Sequence, residues 1–194
     1  MQALIYGFGK TGASFQRYLR KKNISFDIFD ANIKKYNFEF NIQDYDQVYF
    51  SPGISRKIFD DIQTHTEVFT DIDIFFNEDR SIKIGITGTN GKSTTCFHVS
   101  QILKERFEVN LIGNIGEPVL DYLNNGAKYS VIELSSFQLD KMKVNKLDYG
   151  VLLNIQADHL DYHGSFTNYF NSKQRIKTAK TLVRRQIHIL FPSG

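Results

Sequence analysis

The sequence predicts an α/β fold made of two consecutive parallel-sheet units, and three observations carry that expectation. Short apolar runs alternate with helical segments along the chain. Two of these runs open into glycine-rich turns, Gly7-Phe8-Gly9-Lys10-Thr11-Gly12 and Gly85-Ile86-Thr87-Gly88-Thr89-Asn90-Gly91-Lys92-Ser93-Thr94. Another ends in Ser51-Pro52-Gly53-Ile54, whose Pro-Gly pair signals a turn at the C-terminal end of a strand. Strands separated by helices need crossover connections, which makes the sheets parallel.

Each element follows in order. Ala3 to Tyr6 predicts a strand, residues 7–12 a turn, Ala13 to Lys22 a helix, and Ser25 to Phe29 a second strand ending in Asp30. Gln47-Val48-Tyr49-Phe50 predicts the strand before the Pro-Gly turn. The polar stretch Asn77 to Ser81 marks a boundary. Beyond it, a strand over Ile82 to Thr87 enters the second glycine loop, and Ser93 to Lys104 forms the helix behind that loop. Further strands are expected at Val109 to Ile112, Tyr129 to Leu134 and Tyr149 to Asn154. Phe166, Tyr169, Phe170, Lys173, Ile176 and Lys177 recur at spacings of three or four and predict a helix from about Phe166 to Val183. The expected architecture is a Rossmann-like unit over 1–80 followed by part of a P-loop-type parallel-sheet unit over 81–194.

Composition narrows the function classes. Of 194 residues, 41% are hydrophobic and 23% charged, the pattern of a globular chain rather than a disordered one. The net charge of +3 is small and its Lys and Arg are scattered, which argues against a nucleic-acid partner. Cys96 is the only cysteine, so no intramolecular disulfide forms and a reducing compartment fits. The apolar N-terminus turns glycine-rich within a few residues and no run of about 18 apolar residues occurs, so the expectation is a cytoplasmic chain with no membrane span.

The loop at 85–94 carries the strongest chemical signal. Glycines at 88 and 91 let the backbone approach an anion, the following helix aims its first amides at it, Lys92 adds a mobile positive charge, and Ser93 offers a hydroxyl to Mg²⁺. The loop departs from the generic G-x-x-x-x-G-K-[ST] spacing, because Ile86 stands where the first glycine belongs. The N-terminal Gly7-x-Gly9-x-x-Gly12 with Asp30 fits three readings equally on spacing: a NAD site, as an oxidoreductase would carry, a nucleotide-sugar site, or a tight strand-to-helix turn. Glu133 ends an apolar strand on the rim of the phosphate loop, which suits a Mg²⁺ ligand, or faces solvent beside a helix cap at Ser135 or Ser136. Asp158, His159 and Asp161 follow another strand onto that rim, whereas His163 reads as a surface histidine. By spacing alone, Lys173 is an ordinary charge on an amphipathic helix.

Taken together, Gly85 to Thr94 (G-I-T-G-T-N-G-K-S-T), Gly113-Asn114-Ile115-Gly116, Glu133 to Leu139 (E-L-S-S-F-Q-L) and Asn154 to Asp161 (N-I-Q-A-D-H-L-D) resemble the Mur ligases, above all the members that add D-glutamate. The family's own phosphate loop has the glycine placement found here. The resemblance implies ATP-dependent ligation of D-glutamate to UDP-N-acetylmuramoyl-L-alanine through an acyl phosphate, in peptidoglycan biosynthesis, by a monomer. It implies that Gly88, Thr89, Asn90, Gly91, Lys92, Ser93 and Thr94 bind ATP, and that Lys10, Thr11, Asp30, Ala31, Ser51, Pro52 and Gly53 hold the UDP part of the substrate, which displaces the NAD reading. Asn114 and Ser135 match contacts to the muramoyl-alanine part. Lys92, His159 and Lys173 match catalytic positions. Ser93, Glu133, His159 and Lys173 match Mg²⁺ ligands, Lys173 after reacting with CO₂ to become a carbamate. The resemblance further implies a central ATP-binding domain left incomplete over 81–194, an absent C-terminal amino-acid-binding domain, and a tail, 184–194, that matches nothing in the family. A ligase by family and a non-catalytic fragment retaining UDP-substrate or weak ATP binding are therefore both expected of this chain.

Overall fold

The computed structural model describes residues 1–184. The unmatched tail, Arg184 excepted, lies outside the described residues. Among these, the strands form two sheets, both parallel throughout.

The first sheet has the order β2-β1-β3-β4, with β1 at Gln2–Tyr6, β2 at Ser25–Phe29, β3 at Gln47–Phe50 and β4 at Glu67–Phe69. Ala3, Leu4 and Ile5 are all fully buried, because a parallel sheet is covered on both faces and its central strand reads as a continuous apolar run. Alternate residues serve opposite faces. Ala3, Ile5 and Tyr49 pack with Phe15 and Leu19 of helix α1 (Lys10–Lys21), whereas Leu4, Val48 and Phe50 pack with Phe59 and Ile62 of helix α2 (Arg56–Gln63). Helix α3 (Asp71–Glu78) closes this unit, its N-terminus capped by the Thr70 hydroxyl accepting from the Asp73 amide.

The turn between β1 and α1 is shorter than the sequence predicts. Gly9 caps the helix, the Ala13 amide donates to its carbonyl, and Lys10 and Thr11 are already helical. A β-carbon on Gly12 would lie 2.3 Å from the Gly7 carbonyl oxygen, so glycine there lets the helix pack directly on the turn.

The second sheet has the order β6-β7-β5-β8-β9: β5 at Ile82–Thr87, β6 at Val109–Gly113, β7 at Tyr129–Glu133, β8 at Tyr149–Leu152 and β9 at Thr181–Arg184. Helix α4 (Lys92–Lys104) covers one face through Cys96, Val99 and Leu103; α5 (Ser136–Lys141) and α7 (Phe166–Gln174) cover the other, with the single turn α6 (Leu160–His163) before α7. The helix predicted to run to Val183 stops at Gln174. A 3-10 turn over Arg175–Thr178 follows, and residues 181–184 form β9, paired with β8. Buried Ile176 keeps the helical spacing through the turn, while the ladder to β8 draws the β-branched Thr181 and Val183 into a strand.

Between α3 and β5 the chain passes from the first sheet to the second, and the apolar core crosses that point. One cluster joins Phe15, Leu19, Ile72 and Phe75 of the first unit to Val119, Leu120, Leu134 and Leu139 of the second. Arg17 adds a paired contact to the Asp121 carboxylate at 2.8 and 2.5 Å.

Candidate functional site

The carboxyl ends of β5, β7 and β8 share one rim, as in any parallel sheet, and the loops that leave them meet there. Thr87 donates its hydroxyl to the Leu134 carbonyl at 2.8 Å, anchoring the glycine loop to β7. Gly91 adopts a left-handed backbone with φ of 81°, and α4 starts at the next residue. The orphan amides of that first turn therefore face the loop mouth. Sequence reasoning did not find the braces of this loop. The Thr89 amide donates to the Asn154 carbonyl (3.0 Å), the Asn90 amide to Asn154 Oδ1 (2.9 Å), and Asn90 Nδ2 to Gln156 Oε1 (3.0 Å). The hydroxyls of Thr89 and Tyr169 lie 2.8 Å apart. The Asn154 and Gln156 signal was present in the quoted N-I-Q motif; that of Tyr169 was hidden in an ordinary helical repeat. Lys92 folds back over the loop, its Nζ donating to the carbonyls of Gly88 and Thr89, both at 2.9 Å, while Thr94 is exposed on α4.

Behind the loop, Glu133 is 2% exposed and does not face solvent. It accepts from Ser93 Oγ at 2.7 Å and from Asn114 Nδ2 at 2.8 Å. The helix-cap reading holds as well, since Ser135 caps α5 in a reciprocal box with Gln138. Ser93 Oγ and Glu133 Oε2 form a pair of hard oxygen donors beside a phosphate loop, a set that fits Mg²⁺. Adjacent to it is a cavity of about 230 Å³ lined by Lys92, Asn114, Ser135, Phe137, Asp158, His159, Tyr169 and Lys173, among others. Five predicted site residues thus meet in one space. Asp161, by contrast, is exposed and does not line it.

Lys173 is the largest departure from the plain reading of its spacing. It is 2% exposed, and its Nζ donates to the Gly88 carbonyl at 2.9 Å. Burial, then the charge of Lys92, push its pKa down from the ordinary 10.5 to about 7, with Asp158 and Glu133 opposing. His159 stands exposed at the cavity edge in a left-handed conformation, its Nε2 3.6 Å from Asp158 Oδ2. His163 corrects the expectation of a surface residue: it is buried, its ring parallel to that of Phe137 with centroids 5.8 Å apart, and burial lowers its pKa. The tertiary packing of α6 against α5 places it there.

A second cavity, of about 270 Å³, lies at the rim of the first sheet. It is lined by Gly7 to Thr11, Asp30 and Ser51 to Ile54, so six of the seven residues expected around a UDP group meet there. Ala31 does not line it; its carbonyl accepts from Asn37 Nδ2 at 3.1 Å. Asp30 accepts from the Phe8 amide at 2.7 Å, and Ser51 Oγ donates to the Gly7 carbonyl at 2.7 Å, which closes the loops on each other. Among the described residues no helix is long and apolar enough to cross a membrane.

The chain is 36% identical over 190 residues to the UDP-N-acetylmuramoylalanine–D-glutamate ligase of Rickettsia bellii, covering 89% of this chain and 42% of that protein. It is 39% identical over 191 residues to the protein of the same name in Rickettsia prowazekii, with the same shares covered. The chain thus spans well under half the length of these relatives. Among solved structures it resembles the UDP-N-acetylmuramate:L-alanyl-gamma-D-glutamyl-meso-diaminopimelate ligase of Neisseria meningitides, with a TM-score of 0.54 at 14% identity over 94% of this chain and 77% of that one, a likeness of fold. The family model for the Mur ligase middle domain matches residues 86–189, more than half of the sequence and all of the phosphate loop after its first residue, and the chain belongs to the Mur ligase family.

Proposed function

We propose that this chain supplies the UDP-substrate and ATP sites of a cytoplasmic ligase that joins D-glutamate to UDP-N-acetylmuramoyl-L-alanine through an acyl phosphate. The observation that carries this reading is the meeting of Lys92, Ser93, Glu133, Asn114 and Lys173 around one phosphate loop, with a second cavity on the neighbouring sheet rim. In the reaction, a carboxylate oxygen of the muramoyl-alanine substrate bonds to the γ-phosphorus as the bond to ADP breaks. The amine of D-glutamate then bonds to the acyl carbon, inorganic phosphate leaves, and the amine gives up a proton. Lys92 is placed to turn from the loop carbonyls to the transferring phosphoryl group, where its charge counts most. Asn114 and Ser135 orient the acceptor carboxylate in the cavity. Ser93 and Glu133 would hold one Mg²⁺, and His159 with a carbamylated Lys173 a second; bound there, such ions would supply neutralisation of the phosphate charge.

The reading is tested by titrating the chain with UDP-N-acetylmuramoyl-L-alanine, with ATP and Mg²⁺, and with NAD, and by following ATP-dependent phosphate release on addition of D-glutamate. Binding of the first two in preference to NAD is expected, and preference for NAD overturns the assignment. Phosphate release separates a ligase from a binding fragment.

Lys173 yields a finer expectation. Carbamate formation requires a neutral amine, and a pKa lowered to about 7 leaves Lys173 neutral above that pH and charged below it. With ¹³C-bicarbonate, a carbamate carbonyl resonance is expected that grows as pH rises through about 7 and is missing in Lys173→Ala. A spectrum identical for both proteins up to pH 9 rules the modification out.

A further inference from the structure

Between the two cavities lies a buried cation that neither of them uses. Lys141, the last residue of α5, is 2% exposed, and among the described residues no carboxylate oxygen lies within 4.0 Å of its ammonium. Its Nζ donates instead to the Pro52 carbonyl at 2.7 Å and to the Tyr162 hydroxyl, and it sits 4.8 Å from the centre of the Tyr162 ring. The Tyr162 hydroxyl in turn donates to the Ile54 carbonyl at 3.3 Å. A buried ammonium without an anionic partner is costly, and burial lowers the pKa of this one to about 8. A methionine or leucine would fill the space at lower cost, so the charge calls for an explanation in what it holds.

What it holds is the wall of the cavity on the first sheet's rim. Pro52 and Ile54 line that cavity, and both of their carbonyls are tied to the Lys141–Tyr162 pair. From Tyr162 the contacts continue to the cavity beside the phosphate loop: its ring meets Phe137 edge-on at 4.4 Å, and Phe137 packs against His159 at 4.9 Å, both lining that space. The docking of the two units does not depend on this pin. Arg56 Nη1 donates to the Asp140 carbonyl at 2.6 Å, Lys143 Nζ to the Val68 carbonyl at 2.6 Å, and the Lys143 amide to Asp73 Oδ1 at 2.8 Å. Those links join the frames of the units, whereas among the described residues Lys141 and Tyr162 supply the hydrogen bonds that tie the 51–54 loop to the second unit.

We propose that Lys141 is a positioning residue, which fixes the 51–54 wall of the cavity on the first sheet's rim relative to the Phe137 and His159 wall of the cavity beside the phosphate loop, so that one ligand reaching both is held in register. The ligand class is a UDP-linked acceptor with its carboxylate in the cavity beside the phosphate loop, and the proposal rests on the functional reading above. A ligand confined to one cavity does not sense the register; a ligand spanning both does, because a misplacement of about 1 Å is enough to lose much of the gain from orientation.

The test is calorimetric titration of the whole chain, wild type and Lys141→Met, with UDP alone, with a non-hydrolysable ATP analogue and Mg²⁺, and with UDP-N-acetylmuramoyl-L-alanine. In the variant, the first two affinities are expected to stay within about twofold while the third falls about tenfold or more. Equal losses for UDP and for the spanning ligand, or no loss for either, overturn the role. Tyr162→Phe removes one hydroxyl and keeps the packing, so it tests the same selectivity, with an expected loss of about threefold, should the lysine variant fail to fold. Failure of the wild-type chain to bind UDP strikes the functional reading itself; UDP binding with an unselective variant strikes only the role of Lys141.

Discussion

Lys92→Met is expected to weaken ATP binding about 100-fold, near 2.7 kcal/mol, while AMP binding changes less than about threefold. The asymmetry follows from where the ammonium can reach. Lys92 begins α4 and its Nζ already lies over the loop, 2.9 Å from two carbonyl oxygens that a bound polyphosphate would outbid. The β- and γ-phosphates carry the charge it meets, and AMP lacks both. Lys92 is only half-buried and its present partners are backbone carbonyls of its own loop, so the thermal midpoint should move little. Titration with the two nucleotides, alongside a melting curve, checks all of this; equal losses for ATP and AMP would mean that the lysine merely shapes the loop.

Glu133→Gln is expected to separate stability from function in the opposite sense to most buried substitutions. The wild-type carboxylate is 2% exposed and is held by a hydroxyl and a side-chain amide, both neutral. Without a cation, burying that charge is costly, so the isosteric amide should melt at the same temperature or higher. With Mg²⁺ the order reverses. Glutamine lacks the charge that a divalent ion needs, and the tightening of ATP binding by Mg²⁺ should shrink by about tenfold or more. The measurement is ATP affinity with and without Mg²⁺ for both proteins; a full Mg²⁺ effect in the variant would remove Glu133 from the metal site. Cys96 lies nearby, but burial pushes its thiol up to about 12, which leaves it an inert packing group.

How much of the site was legible depended on whether each residue's chemistry is local. The glycine loop, Ser93 and Glu133 could be placed because strand, turn and helix succeed one another within a few residues, and a parallel sheet sends every such loop to one rim. Lys10 and Thr11 line the cavity on the first sheet's rim but were assigned to a turn, since Gly9 rather than Gly12 caps the helix. His163 was misread because Gly164 and its turn-like surroundings point to the surface, whereas it packs in the fold against Phe137, 26 positions away on another helix. The end of α7 was also missed: Ile176 satisfies the helical period while facing β8 from a 3-10 turn, and only the ladder to β8 shows that the chain has become a strand.

The sequence by itself determined the alternation of strands and helices, the order of four motifs, and hence the family, because these are patterns of neighbouring residues whose side chains and backbone constrain each other directly. Tertiary structure supplied what makes two lysines chemically unusual, Lys173, which the family resemblance singled out but its spacing did not, and Lys141, which neither did. Lys173 and Lys141 occupy helical positions that any solvated lysine could fill, and each is made distinct by burial against segments 85 and 89 residues away, at Gly88 and Pro52. The free energy of an ammonium depends on the water removed from it and on the charges brought near it, and both are properties of the packed chain, not of spacing.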